Sequence, residues 1–307
     1  MSTILIGVDA GEPSQDAVAF ARRLADASDA HLVLANAYPY SDLPHRASNT
    51  TYREALRDGS LELVQAMRER LEGFPEQRST VKITANTSPA HALHKMADAE
   101  DAALIVVGST HTGRAGRVLP GSTGERLIHG SPCAVAVVPA DYRRRTEPSC
   151  KVGVAYNQTP EARAAAFSAA ELARAFGAEL VVIGVADATG FEAPAMMGGP
   201  SVASVRVDID RHVQESLDAL VAELPQDVTA TTKRLTGDPA DLLADHSAYL
   251  DLLVTGSRGY GPLHSVLAGG VSGRVLRNAQ CPVVIVPRGV DAALAGLFAR
   301  MTKSAAV

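Results

Sequence analysis

Ile105-Val-Val-Gly-Ser109 is repeated, 148 residues later, as Leu253-Val-Thr-Gly-Ser257. The stretch Cys133-Ala-Val-Ala-Val-Val-Pro139 returns at the same spacing as Cys281-Pro-Val-Val-Ile-Val-Pro287. Repetition at a constant spacing, in the same order along the chain, indicates that a whole structural unit has been duplicated.

The length of the chain agrees with a duplication, because 307 residues suit two domains of about 150 residues each. We expect domains at residues 1–140 and 150–288, followed by a C-terminal tail at residues 289–307. The joint between the two domains lies near Ala140–Ser149, where Arg143, Arg144, Arg145 and Pro148 mark a polar linker.

Each unit alternates apolar strands with amphipathic helices. The predicted strands lie near Ile4–Val8, His31–Ala37, Val81–Ala85, Ala102–Val107 and Ala134–Val138, and then near Val152–Ala155, Leu180–Val185, Val228–Arg234, Leu250–Thr255 and Val283–Val286. Alternating strands and helices predict an α/β fold: two tandem Rossmann-like, doubly wound domains, each a five-stranded parallel sheet flanked by helices. In such sheets ligands bind beyond the carboxyl ends of the strands.

Glycine-rich loops follow the fourth predicted strand of each unit. The second unit reads Gly256-Ser-Arg-Gly259, then nine residues, then Gly269-Gly270-Val271-Ser272; the first reads Gly108-Ser-Thr-His111, nine residues, then Gly121-Ser122-Thr123-Gly124. Glycine lets the backbone approach a ligand closely and adopt a positive φ, so that successive amides can surround a phosphate. Such glycines can also exist only to make a tight turn, and this alternative stays open.

The pattern Gly-x-x-Gly, nine residues, Gly-Ser/Thr resembles the ATP-binding signature of universal stress proteins. The Asp after the first strand and the Cys-Pro-Val strand at the end of the unit are similar to that family as well, and the resemblance covers both units. It implies a tandem universal stress protein that binds an adenine nucleotide, ATP first and ADP or AMP as alternatives, with room for Mg²⁺ beside ATP.

The resemblance also implies which residues contact the nucleotide. In the first unit an aspartate lies near the ribose or adenine, two apolar residues line the base, and the two glycine segments face the nucleotide and its phosphates: Asp9, Val8, Ala37, Val107, Gly108, Thr110, His111, Gly121, Ser122 and Thr123. The matching positions of the second unit are Asn157, Val185, Thr255, Gly256, Arg258, Gly259, Gly269, Gly270, Val271 and Ser272.

Neither unit fits the family pattern completely. His111 replaces a glycine of the first unit, Gly270 takes the Ser/Thr position of the second, and Asn157 replaces the acid Asp9. The sequence does not decide which site is stronger. Asp9 and Asn157 also have an alternative role as N-caps of the first helix of each unit.

Composition and charge exclude several classes of protein. The net charge of −5 argues against a nucleic-acid binder, which needs a basic surface for phosphates. No apolar run approaches the roughly 20 residues of a membrane span, and the N-terminus has no secretory signal. Three cysteines give no basis for a disulfide framework, so we expect a cytoplasmic protein.

The sequence shows no catalytic machinery. It has no Gly-x4-Gly-Lys-Ser/Thr segment, and Asp9-Ala-Gly-Glu-Pro-Ser14 stands where a dinucleotide-binding glycine motif would follow the first strand. His91 and His94 lie three apart on a predicted helix and are interpreted as part of a solvated face rather than as metal ligands. We expect no catalytic residue and no metal site.

The leading hypothesis is therefore a nucleotide-binding regulator of the stress response that is not an enzyme. Two alternatives are an interaction module of the same fold that has lost nucleotide binding, and a slow ATP-hydrolysing enzyme. The valine-rich fifth strands are candidate sheet edges, which tend to pair with another strand. The resemblance to universal stress proteins implies that the two domains pair with each other through these strands, and that two chains form a homodimer.

Overall fold

The computed structural model describes residues 2–40, 50–109, 122–128, 130–144, 150–187, 202–257, 270–287, 294 and 296–297. The elements of the first half are β1 (Thr3–Gly7), α1 (Glu12–Ser28), β2 (His31–Tyr38), α2 (Thr50–Glu69), β3 (Ser79–Ala85), α3 (Pro89–Ala99), β4 (Ala102–Gly108), α4 (Ser122–Ile128) and β5 (Ala134–Val138). Those of the second half are β6 (Lys151–Ala155), α5 (Pro160–Phe176), β7 (Glu179–Ala186), α6 (Val202–Glu223), β8 (Ala230–Thr236), α7 (Pro239–His246), β9 (Leu252–Ser257), α8 (Val271–Asn278) and β10 (Val283–Pro287).

The strands form one sheet in the order β3-β2-β1-β4-β5-β10-β9-β6-β7-β8. All neighbours within each half are parallel, whereas β5 and β10 meet antiparallel, with Ala136 opposite Val284. The second half thus repeats the strand order of the first, and the predicted α/β fold with its parallel sheets and flanking helices is confirmed. The pairing of the two halves in solution stays a prediction.

Helices cover both faces of the sheet, which explains the continuous apolar runs of the central strands. Side chains of α1, α2, α5 and α6 pack on one face, around Phe20, Leu24 and Leu172. Side chains of α3, α4, α7 and α8 pack on the other face, around Leu93 and Val275. Of the helices in the described ranges, none is long and apolar enough to cross a membrane.

Two of the strands were predicted to begin two residues too early, because buried turn residues resemble strand residues. Val228 is buried, but it lies in a turn before β8, where its amide donates to the Pro225 carbonyl. Leu250 follows a short 3₁₀ helix before β9, and its side chain packs over Gly153 of β6. Apolar character alone does not distinguish a strand from a turn that is packed on the core.

The start of the predicted linker is fixed to α1 through a buried carboxylate. Asp16 is 2% exposed, and its two carboxylate oxygens accept the backbone N–H groups of Asp141 and Arg143, each at 3.0 Å. Burial raises the pKa of the Asp16 carboxyl, and these hydrogen bonds oppose that rise. The adjacent Tyr142 ring packs edge-on against Phe20, with 5.5 Å between the ring centroids. Residues 141–144 are therefore part of the first half, and residues 145–149 lie outside the described part of the chain.

We predict that Asp16→Asn destabilises the protein by about 1–3 kcal/mol. The amide replaces one acceptor oxygen by an NH₂ group, so one buried backbone N–H loses its partner. Asp26→Asn on the same helix is the control, because Asp26 is exposed and its ion pair with Arg22, at 3.5 Å, lies on the surface. Chemical unfolding of both variants measures the difference, and equal effects would contradict the role given to Asp16.

Candidate functional site

The turn after β1 is built around the predicted residue Asp9. Its Oδ1 accepts the Gly11 N–H at 2.8 Å and the Ser14 hydroxyl at 2.7 Å, and the Ser14 oxygen in turn accepts the Asp9 N–H at 2.8 Å. Ser14 is buried whereas Asp9 is exposed, so this closed network holds the aspartate at the carboxyl end of β1. The N-cap of α1 is Gly11, and the alternative role of Asp9 as N-cap is wrong.

The turn after β6 is held by a different pair of side chains, Asn157 and Thr159. The Asn157 Oδ1 accepts the Thr159 hydroxyl at 2.8 Å, and the Thr159 oxygen caps α5 by accepting the Ala162 N–H at 3.2 Å. Thr159, rather than Asn157, is therefore the N-cap. Both predicted residues orient the turn that leads into the first helix of their half.

The end of β2 contributes a polar residue that sequence reasoning missed. Asn36 donates from Nδ2 to the Val8 carbonyl at 2.6 Å, and its Oδ1 accepts the Ser60 hydroxyl of α2 at 2.6 Å. This network fixes Val8, which is 5% exposed, beside the half-buried Ala37. An asparagine inside the apolar strand His31–Tyr38 was the signal that could have identified it.

The second half has a glycine, Gly184, at the position that matches Asn36 in the repeat. A Cβ on Gly184 would lie 2.9 Å from Cγ1 of Val213 in α6, so helix packing replaces the polar network there. Val185, the predicted base-lining residue that follows, is half-buried.

The last glycines of the fourth strands are crowded by a helix. A Cβ placed on Gly108 would lie 2.3 Å from the Pro13 carbonyl oxygen in α1, and one on Gly256 would lie 2.5 Å from the Glu161 carbonyl oxygen in α5. Glycine is therefore required at both places for packing, whatever ligand binds nearby. Neither glycine has a positive φ, which among the described glycines occurs at Gly73, Gly177 and Gly237.

The start of α8 lies directly over the end of β9. Gly270 and Val271 are exposed, and the hydroxyl of Ser272 donates to the Gly256 carbonyl at 3.2 Å. Thr255, which pairs with Ala155 of β6, is 3% exposed, and its hydroxyl has no hydrogen-bond partner in the described ranges. An exposed helix start and a buried hydroxyl without a partner thus meet at this strand end.

The first half places its equivalent residues at the ends of β1 and β4. Val107 is opposite Gly7 in the sheet, Thr123 in the first turn of α4 is half-buried, and the hydroxyl of Ser109 is buried without a partner among the described residues. Six predicted residues, and the side chain of Ser122, lie outside the described residues: Thr110, His111, Gly121, Arg258, Gly259 and Gly269.

Comparison with known proteins decides the family. The universal stress protein family model matches residues 1–139 and again residues 150–287. The chain belongs to the universal stress protein family.

Relatives agree with this assignment over most of the chain. A universal stress protein of Mycolicibacterium smegmatis is 27% identical over 293 residues, which are 92% of this chain and 96% of the relative. One from Mycobacterium tuberculosis strain H37Rv is 28% identical over 205 residues, 66% of this chain and 70% of the relative. A solved universal stress protein from Archaeoglobus fulgidus has a TM-score of 0.64 at 20% identity, covering 94% of this chain and 96% of its own, and shows the shared fold.

In this universal stress protein the sheet brings predicted residues of each half that lie in the described ranges to the carboxyl ends of adjacent strands. Asp9 follows β1 and Gly108 ends β4 in the first half, whereas Asn157 follows β6 in the second half. Thr255 and Gly256 lie near the end of β9, which is adjacent to β6. Their contact with a nucleotide stays a prediction. Residues that sequence reasoning missed, such as Ser14 and Thr159, act through the turns that hold the predicted ones.

We predict that Gly256→Ala destabilises the protein by about 1–3 kcal/mol or more, because its Cβ would overlap the backbone of α5. Gly59→Ala is the matched control. Gly59 lies inside α2 with nothing within 4 Å of its added Cβ, so the same substitution should stabilise by about 0.5–1 kcal/mol. Thermal or chemical unfolding of the two variants should therefore shift in opposite directions, and a neutral Gly256→Ala would contradict the packing constraint.

Proposed function

We propose that this universal stress protein binds an adenine nucleotide, ATP or alternatively ADP or AMP, beyond the carboxyl ends of its strands. The single observation that supports this most is the pairing of two features at the end of β9. Thr255 buries a hydroxyl without a partner in the described ranges, and the exposed amino end of α8 begins over the neighbouring Gly256. Buried polar groups are normally satisfied, so an unsatisfied one beside an exposed helix start suggests a ligand.

The described residues suit the parts of such a ligand. The start of α8, at Gly270 and Val271, offers backbone N–H groups and the positive end of a helix to phosphates. Val8 and Ala37 in the first half, and Val185 in the second, are apolar neighbours for a base, and Asp9 offers a carboxylate for ribose hydroxyls. A bound Mg²⁺ would offset phosphate charge and would arrive with ATP. The described ranges contain no group of three or more His, Cys, Asp or Glu side chains that could hold a resident metal.

The proposed role is regulation of the stress response through binding, rather than catalysis. Asp9, the acid predicted for the first site, uses Oδ1 to accept two hydrogen bonds within its own turn, which suits a positioning group better than a base that activates water. An interaction module that binds no nucleotide is the alternative, and sustained phosphate release from ATP would instead favour the slow enzyme.

We further propose a cytoplasmic protein whose halves stay paired through β5 and β10, and a homodimer of such chains. Ala136 and Val284 are opposite each other across the two strands. Cysteines at these two positions should form a disulfide within one chain. A disulfide between chains would instead indicate that the fifth strands pair in a dimer.

Thr255→Val is predicted to weaken ATP binding without loss of stability. Valine keeps the shape of threonine, and the first half already has Val107 at the matching position. Removal of an unsatisfied buried hydroxyl should leave the free energy of unfolding unchanged or raise it. Calorimetric titration should show about three- to tenfold weaker binding at the second site, the value of one lost hydrogen bond.

Val107→Thr is the reciprocal control, since it places a hydroxyl in the first half without removing one from the second. If Thr255→Val binds ATP with unchanged affinity, the Thr255 hydroxyl does not contact the nucleotide. If the wild-type protein gives no binding heat with ATP, ADP or AMP at about 1 mM, the proposed function is rejected, because even a millimolar ligand gains about 4 kcal/mol.

A further inference from the structure

The helix pair α7 and α8 of the second half corresponds to the pair α3 and α4 of the first half. In the second half, Arg274 of α8 reaches across to α7 and forms ion pairs with Asp238 at 3.0 Å and Asp241 at 3.1 Å. Asp238 also caps α7 by accepting the Ala240 and Asp241 N–H groups. The Arg274 guanidinium holds the pKa of the Asp238 carboxyl below its usual value. The arginine of this helix pair is therefore neutralised by two carboxylates of the same chain.

The first half keeps the arginine and lacks both carboxylates. Arg126 of α4 lies 148 residues before Arg274, and α3 opens with Ser88-Pro-Ala-His91 where α7 opens with Asp238-Pro-Ala-Asp241. Ser88 still caps its helix, since its oxygen accepts the His91 N–H at 3.4 Å. Arg126 forms no ion pair within the described part of the chain. Its positive charge is therefore available to bind an anion.

A groove of about 460 Å³ runs between α3 and α4 at this place. Its polar lining consists of Ser88, His91, His94, Lys95, Asp98 and Arg126. Two permanent positive charges thus face one negative charge, and two imidazoles and a hydroxyl add neutral hydrogen-bonding groups. Its floor is apolar, because Ala90 and Leu127 are buried.

We propose that this cationic groove, between α3 and α4, binds a small phosphorylated molecule. Arginine offers a planar fork that matches phosphate oxygens, and lysine adds a point charge. The hydroxyl of Ser88 and the rings of His91 and His94 supply further donors from α3. The volume lies in the range of small-molecule sites, which is about 300–1,000 Å³. None of the residues that line the groove is one of those assigned to the proposed nucleotide site.

The second half supplies the variant that tests this site. Ser88→Asp combined with His91→Asp gives α3 the two carboxylates that neutralise the arginine in α7. The double variant should fold, because Asp is as good an N-cap as Ser and the second half already contains this arrangement. The probe is inorganic pyrophosphate, and the readout is the NMR signals of the His94 ring and of the α3 backbone, which are not among the residues assigned to the nucleotide phosphates. These should shift saturably in the wild-type protein, and the double variant should bind at least about tenfold more weakly.

The reverse exchange is the matched control. Asp238→Ser combined with Asp241→His and Asp245→Lys should create saturable pyrophosphate shifts in α7, where we expect none for the wild-type protein. ATP affinity at the strand ends should be unchanged in the first double variant, which separates this site from the proposed nucleotide site. The proposal is overturned if the His94 ring and α3 of the wild-type protein show no saturable shifts up to about 10 mM pyrophosphate. It is also overturned if the variant with the two added aspartates binds as tightly as the wild type.

Discussion

The contact between the first helix of each half and the end of its fourth strand is the constraint on which the rest of the site depends. The carbonyls of Pro13 and Glu161 lie where a side chain on Gly108 or Gly256 would have to be. The first turn of this helix packs against the end of the fourth strand. The loop that joins the first strand to the helix is therefore short, and side chains of the loop and of the helix start hold it in place. Asp9 with Ser14, and Asn157 with Thr159, are two solutions to this one requirement.

Duplication has preserved this framework while the groups around it have diverged. Val107 corresponds to Thr255, Asn36 to Gly184, and Ser88 to Asp238, so the two halves differ in a buried hydroxyl, in a polar network and in a helix-capping carboxylate. None of these exchanges alters the strand order, which is the same in both halves. The two candidate nucleotide sites therefore have the same strand arrangement but different side chains. Their affinities for a nucleotide need not be equal.

Sequence reasoning predicted all ten strands, because central strands covered on both faces are short continuous apolar runs with a clear repeat. It failed where long-range contacts decide a residue's role. Asp16 binds backbone groups about 125 positions away, and Asn36 joins β2 to Ser60 of α2. Neither contact is indicated by a pattern of neighbouring residues in the sequence. The crowding at Gly256 was also invisible, because a glycine required by a neighbouring helix looks the same in a sequence as one that approaches a ligand.

The central claim is that the strand ends of this universal stress protein hold an adenine nucleotide. Native mass spectrometry of the intact chain, first as purified and then after addition of about 1 mM ATP, tests it most directly. We expect the chain to carry the mass of one or two adenine nucleotides, with the occupied fraction rising with ATP. A spectrum that contains only the bare chain under both conditions would contradict the account.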